Sequence, residues 1–460
     1  MAQLPEAFRG LLIQVQTFRR AQRYVEADAL LAEGREGYPA DPVLAFLQAQ
    51  TRYELGHPAA DLFGEAARLD PANRDALRNR ALALVSEGAA DLARAMLETE
   101  LEARPDWLDG HKVLATLKWT HGARGHFADH YATACRALPD RLDLRIAWFR
   151  MAAQARDWTA ASAVLDEAER HHAGSPALLA CRLFVAVESR DDAAVPALLS
   201  KTAHIRGDVT SLCRVRHALR SGDYRAAETE VLAQVGGPSA PLYWPYLSLA
   251  WRLLGDERWL WLDRPDDLIQ AIDSGMAADE LEELADLLRS LHTAKAPYIE
   301  QSVRGGTQTD RSVLLRHEEP LQRLRVRMLD MVASHVAGLP AADPAHPLLG
   351  APRHGPFLIE GSWSVRLERQ GFNVPHTHAM GWLSSAFYVS LPERMGPEPA
   401  GYIEFGAPPP ELGLPLKAYR TIRPEPGRLA LFPSTTWHGT VPFDDGERLV
   451  VAFDVRRPQV

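Results

Sequence analysis

The stretch Asn373-Val374-Pro375-His376-Thr377-His378 places two histidines two residues apart, directly after a proline. Side chains alternate between the two faces of an extended strand, so His376 and His378 point to one side and can reach one metal ion. A third histidine follows at His438, and Arg448 opens an apolar run ten positions later. The pattern predicts a metal site with His376, His378 and His438 as catalytic ligands, beside a guanidinium that suits a carboxylate.

The sequence around this stretch has the period of a β-strand. Trp363, Val365 and Leu367 are apolar at every second position. Four short apolar runs follow between proline and glycine turns, at 386–389, 402–405, 429–432 and 449–453. Several short strands of this kind are typical of a double-sheet jelly roll. We therefore predict a double-stranded β-helix (jelly-roll or cupin-like) core over residues 357–460, with a metal ion in its mouth.

The N-terminal half has the period of a helical repeat. Three prolines are 34 residues apart, which is the tetratricopeptide (TPR) period: Pro71, Pro105 and Pro139. Small and large apolar residues keep the same phase: Ala59, Ala93, Phe63, Leu97 and Tyr131. Three clear repeats and three or four degenerate ones are expected, with the weakest match at 176–215. The spacing predicts a TPR-like α-solenoid over residues 1–255, whose concave face binds a peptide or protein.

Residues 256–356 are predicted to be a helical lead-in to the β-domain. Helical spacing of leucines predicts a helix near 276–291, and a second helix is predicted at 313–336. Between them, the segment 301–309 has two glycines among polar residues, which is typical of a binding loop or of a solvent-exposed connection between helices. The fold class is thus a multidomain α + β protein, with domains at 1–255 and 256–460 and helices flanking the barrel.

Composition narrows the class of protein. The chain is 46% hydrophobic and 24% charged, as in globular proteins, and its net charge of −9 argues against a dedicated nucleic-acid binder. Its three cysteines form no CxxC pair, which fits a reducing compartment. Neither a leader peptide nor a membrane-length apolar run is recognised. We expect a cytoplasmic protein with no membrane or nucleic-acid partner, and composition favours no particular oligomeric state.

Together these motifs resemble the 2-oxoglutarate- and Fe(II)-dependent oxygenases, and more narrowly a bacterial group of them attached to TPR repeats. The resemblance is carried by 371–378, 384–389, 426–434, Trp437-His438 and Arg448. The domain order is also similar to that of aspartyl/asparaginyl β-hydroxylases. The resemblance implies Fe(II), 2-oxoglutarate and O2 as cofactor and cosubstrates. It also implies His376 and His438 as iron ligands and Arg448 as the partner of the far carboxylate of 2-oxoglutarate, with Tyr388 and Ser434 as further candidates for binding it.

One position departs from the pattern of that family. The family commonly has a carboxylate two residues after the first histidine, where this chain has His378. Three arrangements stay open: a three-histidine site, completion by an acid from elsewhere such as Glu404, or water in the third position. We favour His378 because strand alternation aims it with His376.

The resemblance implies a hydroxylase that acts on a protein or peptide side chain presented by the repeats and that releases succinate and CO2. Two alternatives remain. One keeps the chemistry but applies it to a small molecule, and the other is a non-catalytic repeat adaptor with a degenerate barrel. Trp437, next to His438, is expected to line the pocket.

Overall fold

A computed structural model describes residues 6–459 of the 460-residue chain. The chain divides into two compact units. The first contains the helices up to Phe127 together with Thr293–Lys295 and Thr309–Met328, and the second contains Ala128–His292, Ala296–Gln308 and the chain from Leu329 onward. The limits of these units are set by which residues pack together. The predicted domain boundary at residue 255 is based instead on the repeat period, and it stays a prediction.

Paired helices build the first unit. They are α1 Glu6–Arg20, α2 Tyr24–Gly37, α3 Pro42–Glu54, α4 Ala60–Leu69, α5 Arg74–Ser86, α6 Ala90–Ala103 and α7 Leu108–Thr120. Asn73 begins α5 by accepting a hydrogen bond from the Ala76 amide, which satisfies one of the unpaired N–H groups of the first turn. Phe63 and Leu97, which the repeat period places at equivalent positions, are fully buried in one core cluster.

The repeat continues through the second unit. Its helices are α8 Asp129–Ala137, α9 Leu142–Gln154, α10 Trp158–His171, α11 Pro176–Ser189, α12 Val195–Lys201, α13 Asp208–Arg220, α14 Tyr224–Leu232 and α15 Ala240–Leu254. The helices α5, α7, α9 and α11 each begin 34 residues after the one before. The sequence match to the TPR period is weak after residue 176 because α12 has only 7 residues, too few to contain the small and large apolar positions of a repeat helix.

Four further helices follow in the chain: α16 Arg258–Asp263, α17 Pro265–Leu268, α18 Ala278–Leu291 and α19 Glu319–Ala337. The helix predicted near 276–291 is confirmed by α18. The helix predicted at 313–336 begins later, after a short 3-10 turn at Val313–Leu315. Pro320 explains the late start, because proline lacks an amide donor and is tolerated only in the first turn of a helix.

Nine strands form two antiparallel sheets within residues 6–459. They are β1 Gln270–Asp273, β2 Val303–Gln308, β3 Ile359–Asn373, β4 Leu383–Ser390, β5 Ile403–Phe405, β6 Arg420–Ile422, β7 Arg428–Pro433, β8 His438–Thr440 and β9 Arg448–Val455. The larger sheet has the order β1-β7-β4-β9-β3-β2 and the smaller β6-β5-β8. Tyr388, Phe432 and Val450 of the larger sheet share a buried core with Ile403 and Phe405 of the smaller. The predicted helical repeats and C-terminal antiparallel β-domain are confirmed.

The predicted loop at 301–309 is wrong, because most of it is strand β2, paired with β3. A Cβ atom at Gly306 would lie 2.2 Å from the Arg366 carbonyl oxygen, so the glycine permits a close approach of two strands. The sequence analysis also missed β1, which pairs with β7 through four residues. Both strands are recognisable only from the partner that they pair with.

Helices of the second unit hold the loops of the β-domain. The Arg252 guanidinium on α15 donates to the carbonyl oxygens of Gly406 and Lys417. The Trp437 indole N–H donates to the Pro245 carbonyl oxygen at 3.0 Å. The repeat helices of this unit therefore form part of the support for the segment that carries His438. Separately, none of the helices within residues 6–459 combines the length and the apolar character that a membrane span requires.

Asp263 lies at the end of α16 and is 7% exposed. The Ser248 hydroxyl donates to its Oδ2 atom at 2.5 Å. Burial raises the pKa of the Asp263 carboxyl to about 6, and the hydrogen bond from Ser248 only partly opposes this. The folded state therefore binds a proton at Asp263 more tightly than the unfolded chain does.

We predict that protonated Asp263 stabilises the fold most below the unfolded pKa of 3.8, and that this stabilisation is lost as the pH rises through about 6. The loss should be of order 1–3 kcal/mol. Chemical denaturation of wild type and Asp263→Asn between pH 4 and 7.5 measures it, since the amide does not titrate. Asp445→Asn, at an exposed turn, is the matched control. A difference between wild type and Asp263→Asn that does not change with pH would contradict the assignment.

Candidate metal centre

A reciprocal backbone pair brings His376 and His438 together. The His376 amide donates to the His438 carbonyl oxygen at 2.9 Å, and the His438 amide donates back at 3.1 Å. Gly439 permits this approach, since a Cβ there would lie 3.0 Å from the Asn373 carbonyl oxygen and 3.1 Å from the Pro375 nitrogen. The centroids of the two imidazole rings are consequently 4.2 Å apart.

His378 is held by a different set of contacts. Its amide donates to the Ser434 carbonyl oxygen at 2.9 Å, and its ring lies 5.5 Å from that of Trp363. The His378 ring centroid is 5.0 Å from that of His376 and 5.1 Å from that of His438. One ligand nitrogen from each of the three rings lies within 4.8 Å of the others. The structure thus brings the three predicted ligands together.

The proton positions of these rings suit a metal. The Nδ1 atom of His376 lies 2.8 Å from the Val374 carbonyl oxygen, and that of His438 lies 3.0 Å from the Thr436 carbonyl oxygen. The Nδ1 atom of His378 lies 2.7 and 2.8 Å from the two carboxylate oxygens of Asp454. Carbonyl and ionised carboxylate oxygens only accept, so each Nδ1 carries the proton. Each Nε2 keeps the lone pair that a metal ion requires.

The protonation states of half-buried His376 and buried His438 are also suitable. Burial, together with the neighbouring charge of His378, lowers the pKa of His376 to about 3. Burial lowers the pKa of His438 well below its ordinary value, and the charges of His376 and His378 act in the same direction. Both rings are therefore neutral at pH 7, which is the form that binds a metal. The donor set fits a divalent transition metal such as Fe(II).

Glu404, the candidate acid for the third position, is not part of this cluster. Of the groups of histidine, cysteine and acidic side chains within residues 6–459, the three histidines form the set whose ligand atoms converge. On β5, Glu404 alternates with Ile403 and Phe405, which face the core between the sheets. Its side chain therefore leaves the opposite face of the small sheet.

The three histidines open into a cavity of about 730 Å³. One side of this cavity is formed by alternate residues of β9, which share a face of the strand: Arg448, Val450, Ala452 and Asp454. Gln154, from the end of the repeat helix α9, also lines the cavity and donates a hydrogen bond to Glu300 at 2.7 Å. The site is therefore shared between the β-domain and a helix of the repeat region.

Arg448 lies in the wall of this cavity and is 2% exposed. One terminal nitrogen of its guanidinium donates to the Gly401 carbonyl oxygen at 2.8 Å, and the group lies 5.0 Å from the centroid of the Tyr388 ring. The buried Arg448 Nε atom and the Tyr388 hydroxyl have no hydrogen-bond partner within the described chain. An unsatisfied buried guanidinium N–H indicates a place for an anionic ligand.

Two other predicted residues have different surroundings from those expected. Ser434 Oγ lies 2.8 Å from Ser384 Oγ, and the Ser434 carbonyl oxygen accepts from the His378 amide, so Ser434 supports the His378 segment. Its role in binding a cosubstrate stays a prediction. The expectation that Trp437 lines the pocket is wrong. Its ring packs 5.6 Å from that of Tyr246 on α15, because adjacent residues of a strand face opposite ways.

The sequence analysis missed Asp454, Ser384 and Gln154. Asp454 could have been found, because it lies an even number of positions after Arg448 on one predicted strand and so shares its face. Ser384 and Gln154 carry no such signal. Their places depend on which strand or helix packs beside them.

Comparison with known proteins gives one family match. Residues 361–454 match the family described as "Putative 2OG-Fe(II) oxygenase". This segment contains the three histidines, Arg448 and Asp454. No curated protein matches the chain.

Solved structures of low sequence identity also resemble parts of this chain. A tetratricopeptide repeat protein from Parabacteroides merdae is 14% identical over 54% of this chain and 99% of its own, with a TM-score of 0.35. A viral collagen prolyl hydroxylase from Paramecium bursaria Chlorella virus-1, in complex with 2-oxoglutarate, is 15% identical over 42% and 97%, with a TM-score of 0.28. A prolyl-4-hydroxylase from Pseudomonas putida is 16% identical over 42% and 93%, with a TM-score of 0.29.

We predict that Gly439→Ala weakens metal binding although it removes no ligand. The added methyl group would crowd the backbone of Asn373 and Pro375 and push His376 away from His438. We expect an affinity for Co(II), measured by competition with a coloured chelator, that is about tenfold lower, since small misplacements of ligands are costly. Gly236→Ala, where a Cβ would meet open space, is the control. Equal affinity of the Gly439→Ala and control variants would contradict the role of this close approach.

Proposed function

We propose that this chain, whose segment 361–454 matches the 2OG-Fe(II) oxygenase family, is a 2-oxoglutarate- and Fe(II)-dependent dioxygenase. Its reaction would hydroxylate a side chain of a protein or peptide, with succinate and CO2 as coproducts. The observation that carries the proposal is the convergence of one imidazole nitrogen from each of three histidines beside a cavity whose wall also contains the buried Arg448 guanidinium. A metal ligand set and a carboxylate partner in one cavity are what this chemistry needs.

His376, His378 and His438 would hold the iron. When bound, Fe(II) supplies the activation of O2 and the oxidation of a C–H bond, with 2-oxoglutarate as the source of the remaining electrons. The residues of the chain hold the ligand nitrogens in place and keep the rings of His376 and His438 unprotonated. His378 would occupy the ligand position for which the family commonly uses a carboxylate.

Arg448 would bind the far carboxylate of 2-oxoglutarate. The guanidinium is buried, so its charge acts with little screening by solvent. Its unpaired Nε–H can donate to a carboxylate oxygen, and the Tyr388 ring, whose hydroxyl is also unpaired within the described chain, has its centroid 5.0 Å from the guanidinium. Burial lowers the pKa of Arg448 but leaves arginine in its charged form at pH 7. This arrangement supports an acidic cosubstrate rather than a neutral one.

The outer part of the cavity supports a polypeptide substrate. Gln154, Gln301 and Gln308 line it, and amide side chains can both donate to and accept from a peptide backbone. Gln154 belongs to repeat helix α9, so a substrate in the cavity would contact the repeat region directly. A protein or peptide held by the repeats is therefore the partner that we propose.

A small-molecule hydroxylase is the second candidate. The cavity volume of about 730 Å³ lies within the range typical of small-ligand pockets. The non-catalytic adaptor has less support. A barrel without a ligand would bury Arg448 with an unsatisfied N–H group at a cost of about 1–3 kcal/mol, with nothing to offset it.

We predict that anaerobic addition of Fe(II) and then 2-oxoglutarate to the metal-free protein produces the weak visible band of the chelate. The band should be lost in His376→Ala, His378→Ala and His438→Ala, since each removes one of three ligands. Ser302→Ala is a control, because it removes only a hydroxyl 3.3 Å from His376 Nε2. A band that persists in His378→Ala alone would favour a two-histidine site, and no band or succinate from folded wild type would favour the adaptor.

We predict that Arg448→Ala and Arg448→Lys weaken 2-oxoglutarate binding at least tenfold while Fe(II) affinity changes no more than a few-fold, because the guanidinium acts on the far carboxylate. Titration calorimetry with each ligand measures both affinities. Arg304→Ala is the matched control, since Arg304 also lines the cavity. The thermal midpoint of each variant shows whether it is folded. A parallel loss of both affinities in folded Arg448 variants would contradict the assignment.

A further inference from the structure

We infer that Asp454 is a positioning residue of the metal centre, which orients His378 and supplies the negative charge that a directly bound carboxylate supplies in a two-histidine, one-carboxylate site. The inference rests on the proposed function, because it assigns Asp454 a role toward the same metal. It adds a residue to which neither the family match nor the histidine motif gives a role.

Asp454 contacts the His378 ring at short distance through both of its carboxylate oxygens. Both carboxylate oxygens of Asp454 lie within 2.8 Å of His378 Nδ1. The carboxylate therefore fixes the ring in the tautomer that leaves Nε2 free for a metal ion. The ring of Trp363 limits rotation of the imidazole from another side. His378 is thus oriented by residues of two strands, β3 and β9.

Asp454 is itself held in place. Ser384 lies opposite it in the β4–β9 pairing, and the Ser384 hydroxyl donates to Asp454 Oδ1 at 2.6 Å. Ser384 is fully buried and its Oγ atom lies 2.8 Å from that of Ser434. A Cβ at Gly381 would lie 3.1 Å from Asp454 Cβ, so the backbone packs tightly there. The carboxylate has little freedom to leave His378.

The three histidines differ in the partner of Nδ1. His376 and His438 donate to neutral backbone carbonyl groups, whereas His378 donates to a carboxylate. His378 is also the ligand that stands where the family commonly has an acid. In the common pattern of the family the negative charge contacts the metal directly. Here it lies on the far side of one imidazole, at His378 Nδ1. A carboxylate there makes the ring a stronger donor and offsets part of the metal charge.

The charge of Asp454 is otherwise poorly compensated. The residue is 7% exposed, and its side-chain partners among residues 6–459 are the His378 ring and the Ser384 hydroxyl, neither of which is a lysine or an arginine. A buried carboxylate without a cation is costly. A divalent cation on His378 Nε2 would stabilise it through the ring. The metal and Asp454 thus stabilise each other.

The test compares full-length wild type, Asp454→Asn and Asp445→Asn. The asparagine keeps the shape and can still accept from Nδ1, but it lacks the charge. Anaerobic Fe(II) affinity, measured by competition with a coloured chelator, should fall about 10- to 100-fold in Asp454→Asn. The visible band of the iron–2-oxoglutarate chelate should move to shorter wavelength, because the iron is less electron-rich. Asp445→Asn, which removes a carboxylate from an exposed turn outside the cavity lining, should show affinity within a few-fold of wild type and an unmoved band.

Two outcomes with Asp454→Asn would overturn the inference. An Fe(II) affinity and a chelate band equal to those of wild type would show that the charge of Asp454 does not act on the metal. The proposed function would still stand in that case, because wild type binds Fe(II). Complete loss of binding, as in His376→Ala, would make Asp454 a ligand rather than a positioning residue. Failure of wild type itself to bind Fe(II) would instead remove the proposed function, and the inference with it.

A second measurement needs no folded Asp454 variant. Nitrogen NMR of metal-free wild type with 15N-labelled histidine reports the tautomer of each ring, and His378→Ala identifies the signals of His378. We expect Nδ1 of His378 to be protonated. A ring protonated at Nε2 would show that the carboxylate does not orient it, and would overturn the inference even if Asp454→Asn fails to fold.

Discussion

The two backbone hydrogen bonds between His376 and His438 are the constraint on which the site depends. They join the segment before His378 to strand β8 of the small sheet, and they place two imidazoles 4.2 Å apart without help from either side chain. Main-chain bonds of this kind are insensitive to what the rings bind, so the ligand spacing is set in advance. The close approach requires a residue without a side chain at Gly439.

Strand β9 places one positive and one negative side chain in the wall of the cavity. Arg448 and Asp454 share one face of the strand and are separated by Val450 and Ala452, a span of roughly 20 Å along the backbone. The guanidinium suits the anionic end of a ligand, and the carboxylate faces the histidine that would carry a cation. An acidic cosubstrate that chelates a metal would therefore enter with a defined orientation. The alternation of side chains along this single strand is sufficient to place both charged groups in the cavity wall.

The repeat helices of the second unit do more than precede the β-domain in sequence. Arg252 of α15 donates to the segment between β5 and β6, Pro245 of α15 accepts from Trp437 next to His438, and Gln154 of α9 lines the cavity itself. A substrate would thus meet side chains from both kinds of structure. This is the physical reason to expect that the repeats influence which substrate is accepted, and not only where it is recruited.

The sequence by itself determined what depends on local periodicity. The 34-residue phase located the paired helices, and strand alternation placed His376 and His378 on one side, with Arg448 at the start of its strand. Tertiary structure decided whatever depends on a distant partner: the pairing of β1 and β2, the direction of Trp437, and the contact of Asp454 with His378. A short polar segment can be a loop or a strand with equal local preference, and only the hydrogen bonds of a neighbouring strand decide between them. A carboxylate likewise becomes part of a metal site only when the fold buries it against the ligand that it orients.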